Sequence, residues 1–468
     1  MKKTKIIGTI GPVSENYNIL KQLVQNGLNC IRINMSHAYY EECINRINIV
    51  RKVSKELNSN IGILIDTKGP ELRTGDFKNG EVTLTKDSIV YVTNEEILGD
   101  ENKFTIRYPN LINDIKKGNT ILLNNGLVKL SVVEVNKTDI KCLVENTGVI
   151  KNKRSVNLPG VKLSIPFLSE KDMEDINFAI KNDVDFIALS FVSCKEDILE
   201  VKEILKENNN DHIQLISKIE NQMAVDNIND ILEVSDGIMV ARGDLGVEVP
   251  LEQLPSIQKN LVKLANETGK ICIVATEMLA SMEYSPRPTR AEVSDVANAI
   301  IEGTDAIMLS GETASGNFPV ETVTIMSKIA EETEQRFKKD KLSFDGEEHS
   351  VTKVIASSVV DASLKLNCRN IVACTTSGYT ARMVSKYRPN CMVIATSQNE
   401  KTVRSLVLNY GIYPVLVPNF TNTDDIVSNA IKISKETCLL NKGDKIIITG
   451  GFPNKQVKHT NFMKIEQM

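Results

Sequence analysis

Residues 213–246 read IQLISKIENQMAVDNINDILEVSDGIMVARGDLG, and their pattern decides the fold class. Two short apolar runs, at 213–219 and 237–240, each end in polar or glycine residues, and an amphipathic stretch lies between them. A short buried run followed by an amphipathic segment is typical of a strand followed by a helix. Repetition of this unit predicts a parallel sheet with helices on its outer face.

The same unit recurs over residues 5–311. Eight apolar runs of this kind are found, at 5–10, 30–35, 61–66, 186–191, 213–219, 237–240, 271–276 and 306–310. Eight parallel strands, each followed by a helix, are the inventory of a closed (β/α)8 TIM barrel. We therefore predict an α/β protein with such a barrel over 1–71 and 165–338.

Residues 72–164 break this rhythm. Segments such as EVTLTK (81–86), SIVYVT (88–93) and VKLSVVEVN (128–136) alternate apolar and polar residues and are separated by glycine-containing turns. This pattern predicts an inserted all-β domain. An insertion after the third barrel strand lies on the face where active sites of TIM barrels occur, so we expect a hinged cap. A β domain that only packs on the side is the alternative.

A charged stretch, KKDKLSFDGEEHS at 338–350, predicts a linker before a separate C-terminal α/β domain at 351–468. In that domain, apolar strands at 371–374, 391–396, 412–417 and 445–449 alternate with helical stretches, among them TARMVSKYR (380–388) and EKTVRSLVLNYG (400–411). The chain thus has three predicted domains: the barrel, the β-barrel-like cap and the C-terminal domain.

Composition narrows the functional class. The 468 residues carry a net charge of −4 with a pI near 5.8, which gives no general attraction to nucleic acid. Nine cysteines without any Cys-x-x-Cys spacing indicate reduced thiols in the cytoplasm. No segment approaches the roughly 20 apolar residues of a membrane span, and we interpret the N-terminal MKKTKIIGTIGP as a first strand rather than a signal peptide.

Lys218 and Glu220 lie two residues apart at the end of the fifth predicted strand, so their side chains point to the same face. Asp244 follows the sixth strand and offers a second carboxylate at the next position around the barrel. Two converging carboxylates are typical ligands of Mg²⁺ or Mn²⁺. An ordinary buried Lys–Glu pair is the alternative interpretation for the first two residues.

Other strand ends carry polar residues suited to phosphate chemistry. Thr276 ends the seventh strand, where its hydroxyl serves either a substrate or a helix cap. The second strand ends in Arg32, Asn34, Ser36 and His37, and the third in Asp66, Thr67, Glu71 and Arg73. Walker A, Gly-x-Gly-x-x-Gly and His-Arg-Asp signatures are absent from the sequence. A phosphoryl-transfer site would therefore be assembled around the barrel mouth.

Four stretches together closely resemble pyruvate kinase: SKIEN (217–221), MVARGDLG (239–246), ATEML (275–279) and PRPTRAEVSDVANAIIEGTDAIMLSGETASG (286–316). The resemblance runs from TKIIGTIGP to the C-terminal domain. It implies a glycolytic kinase in which a barrel carries a small β cap and a regulatory C-terminal domain. It also implies a cytoplasmic homotetramer that transfers the phosphoryl group of phosphoenolpyruvate to ADP.

Residue roles follow from the resemblance alone. It implies that Arg32 contacts the substrate phosphate, that Lys218 stabilises the phosphoryl group in flight, and that Thr276 and the Gly243–Asp244 backbone bind the substrate carboxylate. Glu220 and Asp244 match the ligands of the divalent metal. Asn34, His37, Arg73 and Arg154 match nucleotide-side positions, although the family often has Lys at 154. The K⁺ ligands match Asn34, Ser36, Asp66 and Thr67, and Glu71 predicts K⁺ dependence because K⁺-independent relatives carry Lys there.

Two segments depart from the family pattern or leave its detail open. Asn124-Asn125-Gly126 stands where the family usually has Asp-Asp-Gly, so we expect cap closure to be weaker or differently balanced. In the C-terminal domain, Thr375, Thr376, Ser377, Gly378 and Thr380 match the family's sugar-phosphate effector loop, with simple helix capping as the alternative. The terminal loop at 453–461 carries Lys455 and Lys458 where relatives often have glycines, so the identity of a phosphorylated effector is open.

Two other functions fit part of the pattern. A metal-dependent lyase or aldolase also places an Arg and two carboxylates around a pyruvate enolate, but it explains neither the cap nor the C-terminal domain. A non-catalytic metabolite sensor would not need Lys218, Glu220, Asp244 and Thr276 together. The sequence therefore favours the kinase.

Overall fold

Eight parallel strands close into a barrel in the computed structural model of the chain, which describes residues 2–36, 39–337, 342, 344, 350–418, 423–438, 440–451 and 459–468. Each strand pairs with its neighbour in chain order, and the first pairs with the last. The strands are Lys5–Thr9, Cys30–Asn34, Gly62–Asp66, Phe186–Leu189, Gln214–Ile219, Gly237–Ala241, Ile271–Ala275 and Ala306–Leu309. The predicted (β/α)8 barrel is confirmed.

Helices surround this barrel and bury one apolar face each. Their bounds are Tyr17–Gln25, Tyr40–Leu57, Glu170–Lys181, Lys195–Glu207, Gln222–Asp226, Ile228–Val234, Arg242–Glu248, Leu254–Thr268, Arg290–Glu302, Gly311–Ala314 and Pro319–Arg336, with 3₁₀ turns at Leu251–Gln253 and Ala280–Glu283. None of the helices in the described part of the chain combines the length and apolar character of a bilayer-spanning segment. All nine cysteines are free thiols.

The inserted segment forms a seven-stranded sheet and a two-stranded sheet around a core of its own. Its strands are Leu72–Arg73, Glu81–Leu84, Ile89–Thr93, Lys103–Thr105, Thr120–Leu123, Val128–Val135, Ile140–Val144, Gly148–Lys151 and Ser155–Asn157, with a helical turn at Leu111–Asp114. The sequence pattern did not predict the first, fourth, eighth and ninth of these. The first, fourth and ninth strands have only two or three residues, too few to show a period of two, and in the eighth only Ile150 is buried.

The C-terminal segment forms a five-stranded sheet with the spatial order Ile412–Leu416, Met392–Ser397, Asn370–Cys374, Lys445–Gly450 and Phe462–Gln467. The first four strands are parallel, and the last is an antiparallel edge strand that the sequence pattern did not predict. Helices Val351–Lys365, Tyr379–Lys386, Glu400–Ser405 and Thr423–Cys438 accompany them. Most of the predicted linker at 338–350 lies outside the described residues.

The C-terminal domain also closes the amino end of the barrel. The helix predicted over 400–411 ends at Ser405, because the following turns bury Val407 and Leu408 within the inner core of the barrel. A Cβ atom on Gly62, at the start of the third barrel strand, would lie 2.7 Å from Val407 Cγ2. The barrel and the C-terminal domain therefore share one packed core at this end.

Candidate active site

Four charged side chains meet at the carboxyl end of the second, third and fifth barrel strands. Asp66 Oδ2 accepts a hydrogen bond from Arg32 Nε at 2.6 Å, and Asp66 Oδ1 lies 3.2 Å from Lys218 Nζ. Lys218 Nζ also lies 2.9 Å from Glu220 Oε1. We call Arg32, Asp66, Lys218 and Glu220 the mouth cluster. The predicted convergence of Lys218 and Glu220 on one face is confirmed by their contact.

Burial makes the charges of this cluster strongly interdependent. Burial alone would lower the pKa of Lys218, but Asp66 and Glu220 outweigh it and hold that pKa well above its ordinary value. Burial would likewise raise the pKa of Asp66, and Lys218 and Arg32 lower it instead. Lys218 is therefore a fixed cation that is held by two carboxylates and aimed at the barrel mouth.

Sequence reasoning missed Ser190, which follows the fourth barrel strand. Lys218 Nζ donates a hydrogen bond to Ser190 Oγ at 2.7 Å, and Ser190 Oγ donates to the Thr67 carbonyl oxygen at 2.7 Å. The next residue, Phe191, donates its backbone N–H to Glu220 Oε2 at 2.7 Å. The position of Ser190 at a strand end was the only available signal, and a lone serine there is usually a cap.

Glu220 and Asp244 form the carboxylate pair that the sequence suggested as a metal site. Their carboxyl groups are within hydrogen-bonding reach, and burial raises the pKa of both, with mutual repulsion raising that of Glu220 further. Of the two carboxylates, that of Asp244 lines the cleft. Such a pair fits a hard divalent cation whose other ligands are oxygens of water and substrate. Among the described residues, no cluster of three or more His, Cys, Asp or Glu offers a larger ligand set.

Thr276 lies directly beside Gly243 on the opposite side of the mouth. The Gly243 N–H donates to Thr276 Oγ1 at 2.8 Å, and Thr276 Oγ1 donates to the Ala275 carbonyl oxygen at 2.6 Å. The Gly243 N–H and the Thr276 hydroxyl thus lie side by side. To donate to a bound carboxylate, the N–H would leave Thr276 Oγ1 and the hydroxyl would leave the Ala275 carbonyl oxygen.

The residues that match K⁺ ligands lie at the ends of adjacent strands. Asn34 and Asp66 are register partners on the second and third strands, and Asn34 Oδ1 accepts the Ser36 N–H at 3.1 Å. Thr67 is buried, with its hydroxyl donating to the Ala188 carbonyl at 3.3 Å. Asn34, Ser36, Asp66 and Thr67 thus follow one another at the ends of two adjacent strands, and Asp66 is itself a member of the mouth cluster.

The two arginines that match nucleotide-side positions, Arg73 and Arg154, lie on the cap. Arg73 Nη2 lies 2.8 Å from Glu71 Oε2, and Arg73 Nη1 donates to the Lys153 carbonyl at 3.0 Å. Arg154 is exposed on the neighbouring chain segment, where its backbone pairs with Thr74. His37 lies outside the described residues.

A cleft of about 300 Å³ separates the cap from the barrel. Asn125 of the cap and Asp244 of the barrel both line it. Across the cleft, Asn157 Nδ2 donates to Glu248 Oε1 at 2.9 Å, and burial raises the pKa of Glu248. Asn124 and Asn125 adopt positive φ angles of 53° and 55° in the hairpin turn at this edge. Asparagine therefore suits the backbone conformation of this turn.

The candidate effector residues line a separate cavity of about 140 Å³ in the C-terminal domain. Thr375, Thr376, Ser377 and Thr380 are among its lining residues, and Gly378 precedes the helix Tyr379–Lys386 with a φ of 81°. No side-chain cap bond forms at Gly378, and Thr380 Oγ1 pairs with Thr460 Oγ1 at 2.8 Å. Lys455 and Lys458 lie outside the described residues.

Comparison with known families matches nearly the whole chain. A family model described as the pyruvate kinase barrel domain matches residues 1–323, and one described as the pyruvate kinase alpha/beta domain matches residues 353–466. Curated pyruvate kinases of Staphylococcus haemolyticus and Staphylococcus aureus are 49% and 48% identical over 470 aligned residues, covering 99% of this chain and 80% of theirs. A crystal structure of a pyruvate kinase from Cryptosporidium parvum superposes with a TM-score of 0.92 at 36% identity, covering 100% of this chain and 96% of that one.

Proposed function

Because the chain belongs to the pyruvate kinase family, it is a phosphotransferase, and we infer that it transfers the phosphoryl group of phosphoenolpyruvate to ADP, giving pyruvate and ATP. The observation that carries the assignment of roles is the mouth cluster, in which two buried carboxylates hold the ammonium group of Lys218. A cation fixed in this way is suited to neutralising charge during phosphoryl transfer.

We propose that phosphoenolpyruvate lies between the mouth cluster and Thr276. Arg32 binds its phosphate, since the guanidinium is oriented by Asp66 and by Thr9 Oγ1, which accepts from Arg32 Nη1 at 3.1 Å. The Thr276 hydroxyl and the Gly243 N–H bind the carboxylate at the other end. The substrate is thereby oriented at both ends, which supplies the positioning that a loose transfer state requires.

The divalent ion, Mg²⁺ or Mn²⁺, would be held by Glu220 and Asp244. When bound, it would supply positive charge that stabilises the negative charge of the substrate and of the transferring phosphoryl group. That charge would also offset the burial and the repulsion from Asp244 that raise the pKa of the Glu220 carboxyl.

During transfer, the terminal oxygen of ADP attacks phosphorus as the bond to the enolate oxygen breaks. Lys218 stays protonated throughout, because Asp66 and Glu220 keep its pKa high, and it stabilises the equatorial oxygens of the moving phosphoryl group. The enolpyruvate that leaves is then protonated at carbon to give pyruvate.

We propose that K⁺ binds the oxygens of Asn34, Ser36, Asp66 and Thr67, and that Glu71 makes the reaction depend on it. Arg73 and Arg154, together with Asn34 and His37, bind the nucleotide. The place of Arg73 and Arg154 on the cap favours a role for cap closure in ADP binding.

We further propose that the cavity beside Thr375–Thr380 takes a phosphorylated effector and that the protein is a cytoplasmic homotetramer. The cavity supports the first proposal because hydroxyl groups line it next to a helix N-terminus. A titration with fructose 1,6-bisphosphate, ribose 5-phosphate and AMP that changed neither turnover nor stability would remove the effector proposal.

The reaction is tested by measuring pyruvate formation from phosphoenolpyruvate and ADP with Mg²⁺, in K⁺ and in Na⁺. Turnover that needs both substrates and is favoured by K⁺ supports the proposal. A folded protein without turnover in either salt would return the lyase and sensor functions to consideration.

A further inference from the structure

The stretch 286–316 contains charged residues that neither the packing nor the roles assigned above require. Asp295 is one of them, on the helix Arg290–Glu302. Both of its carboxylate oxygens accept hydrogen bonds from Arg242 Nη1, at 2.8 and 2.7 Å. Arg242 directly precedes Gly243, and its side chain is 9% exposed. Asp295 on this helix therefore binds Arg242, the residue next to the Gly243 backbone that is proposed to bind the carboxylate.

Arg242 also contacts the segment that carries Thr276. Its Nη2 donates to the Thr276 carbonyl oxygen at 2.6 Å and lies 2.9 Å from Met278 Sδ. One guanidinium thus joins the Asp295 carboxylate on the helix to the backbone after the seventh strand. Such charge-assisted bonds are stronger than neutral ones and fix orientation.

The backbone held in this way is strained. Thr276 and Glu277 have φ angles of 71° and 53°, two consecutive non-glycine residues in the left-handed region. For a β-branched residue such as Thr276 this conformation is a genuine outlier, and it persists only where its surroundings impose it. In this strained conformation, Thr276 Oγ1 lies beside the Gly243 N–H.

We propose that Arg242 and Asp295 are positioning residues, which hold Thr276 and Gly243 in the geometry that binds the substrate carboxylate. The inference rests on the proposed function, in which those two groups take that carboxylate. Arg242 is connected to both of these groups, because its backbone continues into Gly243 and its side chain binds the Thr276 carbonyl oxygen.

Two glutamates of the same stretch hold the rest of the segment. Glu312 accepts the Ser310 N–H at 2.6 Å and the Leu279 N–H at 3.2 Å. Glu292 accepts the N–H of Ser281 at 2.7 Å and also its hydroxyl. The residues after Thr276 are thus tied to two helices. Glu292, Asp295 and Glu312 of the stretch 286–316 therefore hold the segment that follows the seventh barrel strand.

The test compares Asp295→Asn with Asp183→Asn. Both aspartates are partly exposed, at 37% and 47%, and both bind a largely buried arginine, which is Arg404 for Asp183 at the opposite end of the barrel. We expect Asp295→Asn to raise the KM for phosphoenolpyruvate on the order of tenfold, because small misplacements of substrate contacts are costly. The KM for ADP should stay near the wild-type value, and Asp183→Asn should change neither.

A binding measurement gives a readout that does not depend on turnover. Calorimetric titration with oxalate and Mg²⁺, a probe with two carboxylates, should show a similar loss of affinity in Asp295→Asn. In a Thr276→Ala background the same substitution should add little, since residues that act through one contact are not additive. Arg242→Lys keeps the charge but loses the fork to both partners, so it should reproduce the effect if Asp295→Asn folds poorly.

Three results would overturn this inference. They are an equal rise in the KM for phosphoenolpyruvate and for ADP, an oxalate affinity loss that adds fully to that of Thr276→Ala, and wild-type oxalate binding in a folded Asp295→Asn variant. If the wild-type protein is active, any of these results would contradict only the positioning role and would leave the proposed function intact. An inactive wild-type protein would instead contradict the proposed function, while the oxalate titration would still test the positioning role.

Discussion

Asp66 lies at 3.2 Å from Lys218 in the barrel mouth, and its second carboxylate oxygen is bound to Arg32 at 2.6 Å. Asp66 therefore fixes the spacing of the two cations between which a phosphoryl group would sit. Both of its oxygens are engaged, so any K⁺ beside Asn34 would share them with Lys218 and Arg32. In the proposed function, phosphoryl transfer and K⁺ binding would thereby be linked through one carboxylate.

Replacing Lys218 with Met should abolish most of the turnover. We expect kcat to fall on the order of 10³-fold or more, because the cation that meets the developing charge is lost. The loss of the ammonium group that Asp66 and Glu220 share should also lower stability by about 3 kcal/mol. Steady-state kinetics and urea unfolding measure the two effects. Lys171→Met is the matched control, since Lys171 also pairs with a buried aspartate, Asp175, but away from the mouth; a comparable loss of kcat there would contradict the role of Lys218.

Much of the mouth was predictable because barrel geometry converts sequence position into spatial position. Lys218 and Glu220 had to share a face once their strand was recognised, and Asp244 had to follow on the next strand. The structure bears out these placements in the contact of Lys218 with Glu220 and in the proximity of Glu220 to Asp244. Local periodicity was sufficient because the strands are short, parallel and adjacent in chain order.

Contacts between distant segments were not predictable. Nothing in residues 400–411 distinguishes a continuing helix from one that ends at Ser405, and the burial of Leu408 depends on barrel residues between Ile7 and Met308. Ser190 and Asp295 likewise carry no local pattern. Their partners, Lys218 and Arg242, come from other elements of the barrel. Tertiary packing supplies this information, and propensity does not contain it.

K⁺ should be required for full activity, and Glu71→Lys should reduce that requirement. A lysine ammonium at this position would stand in for the ion beside Asn34 and Asp66. We expect the ratio of rates in K⁺ and Na⁺ to approach one in this variant. Glu71→Gln is the control because it removes the same carboxylate without adding a cation, and it should keep the preference for K⁺. Wild-type rates that are equal in K⁺, Na⁺ and a large organic cation would show the K⁺ site to be wrong.

Asn125→Asp should weaken substrate binding at low ionic strength. Asn125 accepts a hydrogen bond from Ser155 Oγ at 2.6 Å and lines the same cleft as Asp244 and Glu248. A new carboxylate would face these acids, and the repulsion would oppose closure of the cap until salt screens it. The KM values measured in low and high salt should converge for the variant. If turnover and both KM values matched the wild-type protein in either salt, this position would be indifferent.

As pH falls, the wild-type protein should lose stability more steeply than the His212→Gln variant. Burial lowers the pKa of His212, and Lys401 lowers it further, while Asp183 opposes the shift. The unfolded chain, with a histidine pKa near 6.5, then binds more protons than the folded one, so stability is lost as pH falls below that value. Arg404, which also faces the ring, contributes in the same direction as Lys401. Urea midpoints at about pH 7.5 and 5.5 measure the difference; equal pH dependence in both proteins would refute it.

Leu408→Ala should destabilise the barrel and the C-terminal domain together. Leu408 is fully buried in the inner core of the barrel, although it belongs to the C-terminal domain. Removing its branched side chain leaves a cavity in that core, and we expect a loss of about 3 kcal/mol. Leu416→Ala removes the same atoms from a position that is 52% exposed in the same domain, so it should change stability by less than about 0.5 kcal/mol. Far-ultraviolet circular dichroism during urea unfolding follows the helices of both domains at once. A lower midpoint shared by the whole signal would support the common core, whereas early loss of only the C-terminal part would mean that the barrel closes without Leu408.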